Sequence, residues 1–242
     1  MLKPRPIPIL MYHSIASMPK GTVMRSLHVP PKRFRFQMRL LQWLGYRGVS
    51  MSELAPYLRG EQMGKVVGIT FDDGYRNNLT EALPILKEFG FSATCYIISQ
   101  MIGGVNEWDL EKGIPENPLM NEEEIQQWLD GGMEIGSHTQ HHVRLTECND
   151  ATTTQEIKQS RIDLEQQFNC KVKHFCYPWG AHNTAAQTLA SEAGYLTATT
   201  TQRGRATIED TPLLLPRVPV THHTLPHLFV MKILSRYEEN HG

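Results

Sequence analysis

No Cys-x-x-Cys pair occurs in this chain, and its four cysteines, Cys95, Cys148, Cys170 and Cys176, lie far apart. That spacing suggests no disulfide framework and points to reduced thiols, with Cys95 in a strand. A surplus of charge is also missing: 24 Lys and Arg stand against 25 Asp and Glu, a net charge of −1. There is therefore no reason to expect a nucleic-acid partner. A sugar, recognised through hydrogen bonds and aromatic faces, stays open. No apolar run is long enough to span a bilayer, so no transmembrane segment is expected. The start, Met1 to Tyr12, sets two positive charges before an apolar patch, but prolines interrupt it and no small-residue cleavage site closes it. It reads as a first strand, and a cytoplasmic location is the expectation. Linkers, repeats and low-complexity tracts are absent too. The expectation is a single domain over 1–242, its core about 6–221, with a C-terminal helix over 224–237.

What is present is alternation. Short apolar runs read as strands over 8–12, 65–71, 92–98, 133–137, 173–177, 195–199 and 213–220. Helical spacing recurs at Phe34, Met38, Leu41 and Leu44, again at Leu79, Leu83, Leu86 and Phe89, and over 154–168. Ser50 or Ser52, Asn121 and Asn183 mark helix starts; Gly45, Gly60, Gly90 and Gly131-Gly132 mark ends. Segments 14–31 and 100–119 read as long loops, the second carrying Trp108 and Asp109. Strands alternating with helices argue for a parallel α/β sheet, and this many repeats for closure into a barrel of about seven strands. Chemistry then belongs at the C-terminal strand ends.

Each unusual polar cluster falls at such an end. Val66-Val67-Gly68-Ile69 runs into Thr70-Phe71-Asp72-Asp73-Gly74-Tyr75. Neighbouring strand residues point apart, so both acids reach one site only if the strand breaks into a turn, which Gly74 permits. Taken alone, Asp-Asp-Gly reads as a solvated turn. His13 ends the first strand, Tyr177-Pro178-Trp179-Gly180 ends another, and Arg217 lies in the last. His138 and His142 follow the strand over 133–137, and on one helical turn they would share a face. Two imidazoles and one carboxylate make a three-ligand zinc site with an open position for water. The second carboxylate is then free to act as general base, and a departing amine needs a histidine acid. Non-haem iron oxygenases use a similar ligand set. Their carboxylate closely follows the first histidine, whereas here both aspartates come well before it.

In this order, Thr70-Phe71-Asp72-Asp73-Gly74, His138-Thr139-x-x-His142 and Phe175-x-x-Pro178-x-Gly180 resemble the first three motifs of polysaccharide deacetylases. This is the NodB-homology domain, carbohydrate esterase family 4, and the resemblance covers nearly the whole chain. Met11-Tyr12-His13 and the Trp108 loop resemble the subgroup that includes deacetylases of poly-N-acetylglucosamine biofilm polymers. The resemblance implies a distorted (β/α) barrel and hydrolytic removal of N-acetyl groups from an N-acetylglucosamine-type oligosaccharide, polysaccharide or precursor. It implies a divalent metal, zinc first, with cobalt or nickel as alternatives. It assigns Asp72 as base and Asp73, His138 and His142 as metal ligands. The backbone N–H of Trp179 would face the oxyanion, and its ring could stack on a sugar.

Two departures stand out. Many members orient the base with an arginine of the third motif, where this chain has Cys176. Arg217 is the candidate for that role, an ordinary surface ion pair being the other reading. The late Leu-x-His acid motif is not recognisable. In the biofilm-polymer subgroup the acid comes from an N-terminal Tyr-His, which matches Tyr12-His13, so His13 is the expected acid, with His222 and His223 as rivals. His141 falls outside the ligand set and His182 reads as a surface residue. The alternatives are a deformylase or cyclic-amide hydrolase on the same site, or a carbohydrate-binding relative without catalysis. A lipid-linked sugar at a membrane surface is a further form of substrate.

Overall fold

Eight parallel strands order the described residues: β1 (Ile9–Tyr12), β2 (Arg47–Val49), β3 (Val66–Phe71), β4 (Thr94–Ile97), β5 (Glu134–Ser137), β6 (His174–Cys176), β7 (Thr197–Arg203) and β8 (Leu215–Pro219). The structure is a computed structural model describing residues 5–241; residues 1–4 and 242, the ends of the expected domain, lie outside it. Seven strands close a ring in the order β1-β8-β7-β6-β5-β4-β3, with β3 pairing back onto β1. The expected distorted (β/α) barrel of about seven parallel strands is therefore the observed fold. The addition is β2, which pairs with Val66–Gly68 of β3 outside the ring. Three residues are too few to show a strand period.

The helices are α1 (Pro31–Trp43), α2 (Met51–Leu58), α3 (Leu83–Phe89), α4 (Glu107–Leu110), α5 (Glu122–Asp130), α6 (Asp150–Phe168), α7 (Thr184–Glu192) and α8 (Pro226–Leu234). Their starts follow side-chain chemistry. Ser50 accepts from the Glu53 N–H, settling it over Ser52. Asn121 and Glu124 form a reciprocal capping box, and Asn149 and Asn183 cap α6 and α7. Ser52 instead bonds Glu134 and His174 inside the fold. The terminal helix is shorter than 224–237. The strand expected over 195–199 begins and ends later, β7 taking residues from the segment read as loop. The long 100–119 segment holds the short α4 and is tied down by the Met120 N–H on Gly74. No described helix is long and apolar enough to cross a membrane.

Aromatic packing sets the strand ends that matter. Tyr12 and Phe71 are register partners, stacked at 5.6 Å between ring centres. Phe34 of α1 packs edge-on against Tyr12, and Trp128 of α5 against Phe71. All four are fully buried. Side chains alternate along a strand, so the next residues, His13 and Asp72, emerge side by side at the mouth of the barrel.

Gly136 of β5 stands two residues before His138. A Cβ there would lie 2.5 Å from the Tyr96 ring and 2.8 Å from the His174 carbonyl oxygen, a backbone atom. Gly136→Ala should therefore overpack the wall and lower stability by about 1–3 kcal/mol, read from the midpoint of urea unfolding. An unchanged midpoint would contradict this packing.

Candidate active site

A cleft of about 460 Å³ opens at the C-terminal strand ends, where His13, Asp72, Asp73, His138, His142 and Trp179 converge. The sequence placed all six at strand ends, and the fold brings them into one site. The turn after β3 is sharper than Gly74 alone would make it: Asp73 (φ 73°) and Gly74 (φ 78°) are both left-handed. This breaks the strand alternation, so both carboxylates enter the cleft. A left-handed conformation is costly for a residue with a Cβ and persists where the surroundings impose it.

Asp73 Oδ1 lies 3.4 Å from His138 Nε2 and 3.4 Å from His142 Nε2. Two ligand atoms bound at about 2.1 Å to one tetrahedral ion stand about 3.4 Å apart. All three ligand atoms lie within 4.8 Å of one another and all three residues are buried. The donor set thus fits a divalent cation. His138 Nδ1 donates to the Cys176 carbonyl at 2.8 Å, which leaves the Nε2 lone pair facing Asp73. His142 Nδ1 is buried without a hydrogen-bond partner. Its ring is held instead by two indoles, Trp108 at 4.3 Å and Trp179 at 4.2 Å.

The two histidines are not on a helical turn. The chain runs through bends, with Thr139 (φ 67°) and His142 (φ 54°) left-handed. The loop closes because the His142 N–H donates to Thr139 Oγ1 and the N–H groups of Gln140 and His141 donate to Glu156 Oε2. Glu156, buried in α6, is the positioning residue that sequence reading missed. The available signal was an acid among the buried positions Thr153, Ile157, Ser160 and Leu164. His141 points outward and bonds the same carboxylate. Half-buried His182 bonds the Gly180 carbonyl.

Asp72 is held differently. Arg217 Nη1 donates to Asp72 Oδ1 at 2.7 Å and Nη2 to Oδ2 at 2.8 Å. The same guanidinium reaches Thr70 Oγ1, the Thr200 carbonyl and Cys176 Sγ. Arg217 is fully buried, so the surface ion-pair reading is overturned. Burial pushes the Asp72 carboxyl up, but the Arg217 charge and hydrogen bonds, with His13 and His138 adding, hold it below the usual carboxylate range. Burial likewise raises Asp73, and the two imidazoles bring it well below. A second possible cation group, Asp72, His138 and Cys176, shares His138. Both Asp72 oxygens are taken by Arg217, so the Asp73 group fits better.

His13 Nε2 faces Asp72 Oδ2 at 3.8 Å. The His222 N–H donates to the Ser26 carbonyl, its own carbonyl accepts from Arg33, and it does not line the cleft; His223 is exposed. Trp179 (φ 53°) is followed by Gly180 (φ 68°), where a Cβ would meet Thr201 N at 2.7 Å. Arg144 and Lys112 lie over the Trp179 ring at 4.8 and 5.5 Å.

The family model for polysaccharide deacetylase matches residues 59–198. The chain belongs to the polysaccharide deacetylase family. YxkH of Bacillus subtilis, whose name assigns it provisionally to this family, is 32% identical over 221 residues, spanning 90% of this chain and 73% of that protein. The poly-beta-1,6-N-acetyl-D-glucosamine N-deacetylase of Staphylococcus aureus is 23% identical over 201 residues, 78% of this chain and 67% of the relative. Among solved structures, the Streptococcus pyogenes deacetylase PplD, in complex with acetate, superposes with a TM-score of 0.83 at 28% identity, covering 95% of this chain and 99% of its own. IcaB from Ammonifex degensii shares the fold, with a TM-score of 0.81 at 21% identity over 95% of this chain and 98% of its own. The chain is accordingly an enzyme of the polysaccharide deacetylase class, carbohydrate esterase family 4.

Arg217→Met removes the counter-charge and leaves a buried carboxylate unpaired. The expected loss is about 3–5 kcal/mol in chemical denaturation. A loss below about 1 kcal/mol, typical of an exposed pair, would contradict the buried fork.

Proposed function

We propose that this deacetylase is metal-dependent, removes N-acetyl groups from an N-acetylglucosamine-type sugar, and divides the chemistry between its adjacent aspartates. The observation that carries this is the contrast in their surroundings. Asp73 faces two imidazole Nε2 atoms and, among the described residues, pairs with no Lys or Arg, whereas Asp72 is clamped by Arg217. Asp73, His138 and His142 hold a divalent cation, zinc being the best match to two nitrogens and one oxygen, with cobalt or nickel as alternatives. When bound, the ion supplies Lewis-acid polarisation of the acetyl carbonyl and makes a water more acidic.

The chain's own residues do the rest. Asp72, ionised and fixed in orientation by Arg217, accepts the proton of the attacking water. The Trp179 backbone N–H supports the developing oxyanion, and its indole faces the sugar. His13, on the other side of Asp72 from the ligand set in the chain, gives a proton to the departing amine. Its 3.8 Å separation from Asp72 and its partial exposure at the cleft support this role over His222. The name of the Staphylococcus aureus relative supports a β-linked N-acetylglucosamine polymer as substrate. The acetate in the PplD complex is what hydrolysis of an acetamide releases. An intact set of base, ligands and acid favours catalysis over a sugar-binding relative.

The protein should release acetate from N-acetylglucosamine oligomers, lose that activity to a chelator and regain it with zinc. Chelator-insensitive release would sink the metal reading. Asp72→Asn should cut turnover by about 10²–10⁴-fold while still binding zinc stoichiometrically; retained turnover would remove Asp72 from the base role. His13→Ala should slow amide hydrolysis about 10²-fold or more but spare an activated aryl acetate, whose leaving group needs no proton. Equal losses on both substrates would reassign the acid.

A further inference from the structure

Helix α1 shows solvent a face that the barrel does not use. Phe34, Gln37, Met38 and Leu41 fill its inner side. Opposite them, Lys32, Phe36, Arg39 and Trp43 follow at helical spacing and form one outward stripe. Trp43 is 68% exposed, with its ring against Phe36 at 6.3 Å. The helix carries Lys32, Arg33, Arg35 and Arg39 and no acid, in a chain whose net charge is −1. Arg33 bonds the His222 carbonyl and Arg35 pairs with Glu88. Lys32 and Arg39 are exposed and have no ion-pair partner among the described residues.

The elements next to α1 also expose apolar side chains. Helix α8 packs beside α1 and exposes Met231 and Leu234. Ahead of α1, the segment after β1 exposes Val23 and Met24, and Met24 lines the catalytic cleft. Exposed apolar side chains thus occur at the rim of the cleft, on α1 and on α8, and the unpaired cations Lys32 and Arg39 lie on α1 between them in the chain.

Scattered exposed leucines are ordinary on a soluble protein. A base–aromatic–base–aromatic stripe without an acid is not. Indoles sit at the headgroup level of a bilayer, and Lys and Arg lay their stems along apolar surface while their charges meet phosphates. Each such cation strengthens attachment to an anionic leaflet. A second copy of the chain fits less well, because a two-fold contact of the stripe with itself would bury Lys32 and Arg39 with no carboxylate to meet them, α1 carrying no acid.

We propose that the α1–α8 face docks on an anionic lipid bilayer and presents the rim of the cleft to that surface. The test is cosedimentation of the full chain with vesicles of phosphatidylcholine alone and of phosphatidylcholine with phosphatidylglycerol. The protein should bind only the anionic vesicles, and less as salt rises. Lys32→Gln/Arg39→Gln should weaken that binding about thirty-fold, and Trp43→Ser should weaken it too. Both variants should release acetate from soluble oligomers at the parent rate, which shows an intact fold. Absence of binding to anionic vesicles, or variants that bind as the parent does, would overturn the proposal. So would light scattering that shows a dimer split by Trp43→Ser.

Discussion

The paired forks of Arg217 and Asp72 are the contact on which the site depends. Both groups are buried, and two charges taken out of water repay that cost only when every donor and acceptor is used. Here they are: the guanidinium meets both Asp72 oxygens, Thr70, the Thr200 carbonyl and the Cys176 sulfur. With both oxygens engaged in one plane, Asp72 has no freedom to swing towards the imidazoles. Asp73, turned the other way by its left-handed backbone, does face them. Two chemically identical neighbours thus acquire different surroundings from one arginine and one backbone angle.

Conformational strain collects at the same place. Asp73, Thr139, His142 and Trp179 all have positive φ, and all line or shape the cleft. Each costs of order 1–3 kcal/mol, and the surroundings that hold them can be named. Glu156 gathers the N–H groups between the histidines, the Cys176 carbonyl fixes the His138 ring, and Thr201 crowds Gly180 after Trp179. His142 Nδ1 has no polar partner, and Trp108 and Trp179 hold that ring by packing.

Much of this was legible in the sequence because it is local or periodic. Strand runs, Asn and Ser caps and terminal glycines gave the alternation that becomes the barrel, and the polar clusters at strand ends became the cleft. What escaped is what depends on distant partners. The spacing of His138 and His142 suggested a helical turn, but Glu156 in α6 imposes a loop. Arg217 looked equally suited to the surface, because nothing in Leu215-Pro216-Arg217 says that β8 lies beside β1 and faces Asp72. The substitution of Cys176 in the third motif made sense only when its sulfur and carbonyl were found touching Arg217 and His138. The strand β2 was too short to announce itself.

The ring topology gives the Arg217–Asp72 contact a temporal meaning. Asp72 directly follows β3, early in the chain, while Arg217 belongs to the last strand, 145 residues later. The two aspartates follow β3 and the two histidines follow β5, where Glu156 of α6 and the Cys176 carbonyl of β6 hold them. Until β8 docks against β1 and β7, Asp72 is a carboxylate without its counter-ion, loosely aimed and better left in water. A chain that ended before β8 would therefore lack the guanidinium that aims Asp72, so the contact joins the first closed pair of strands to the last one laid down.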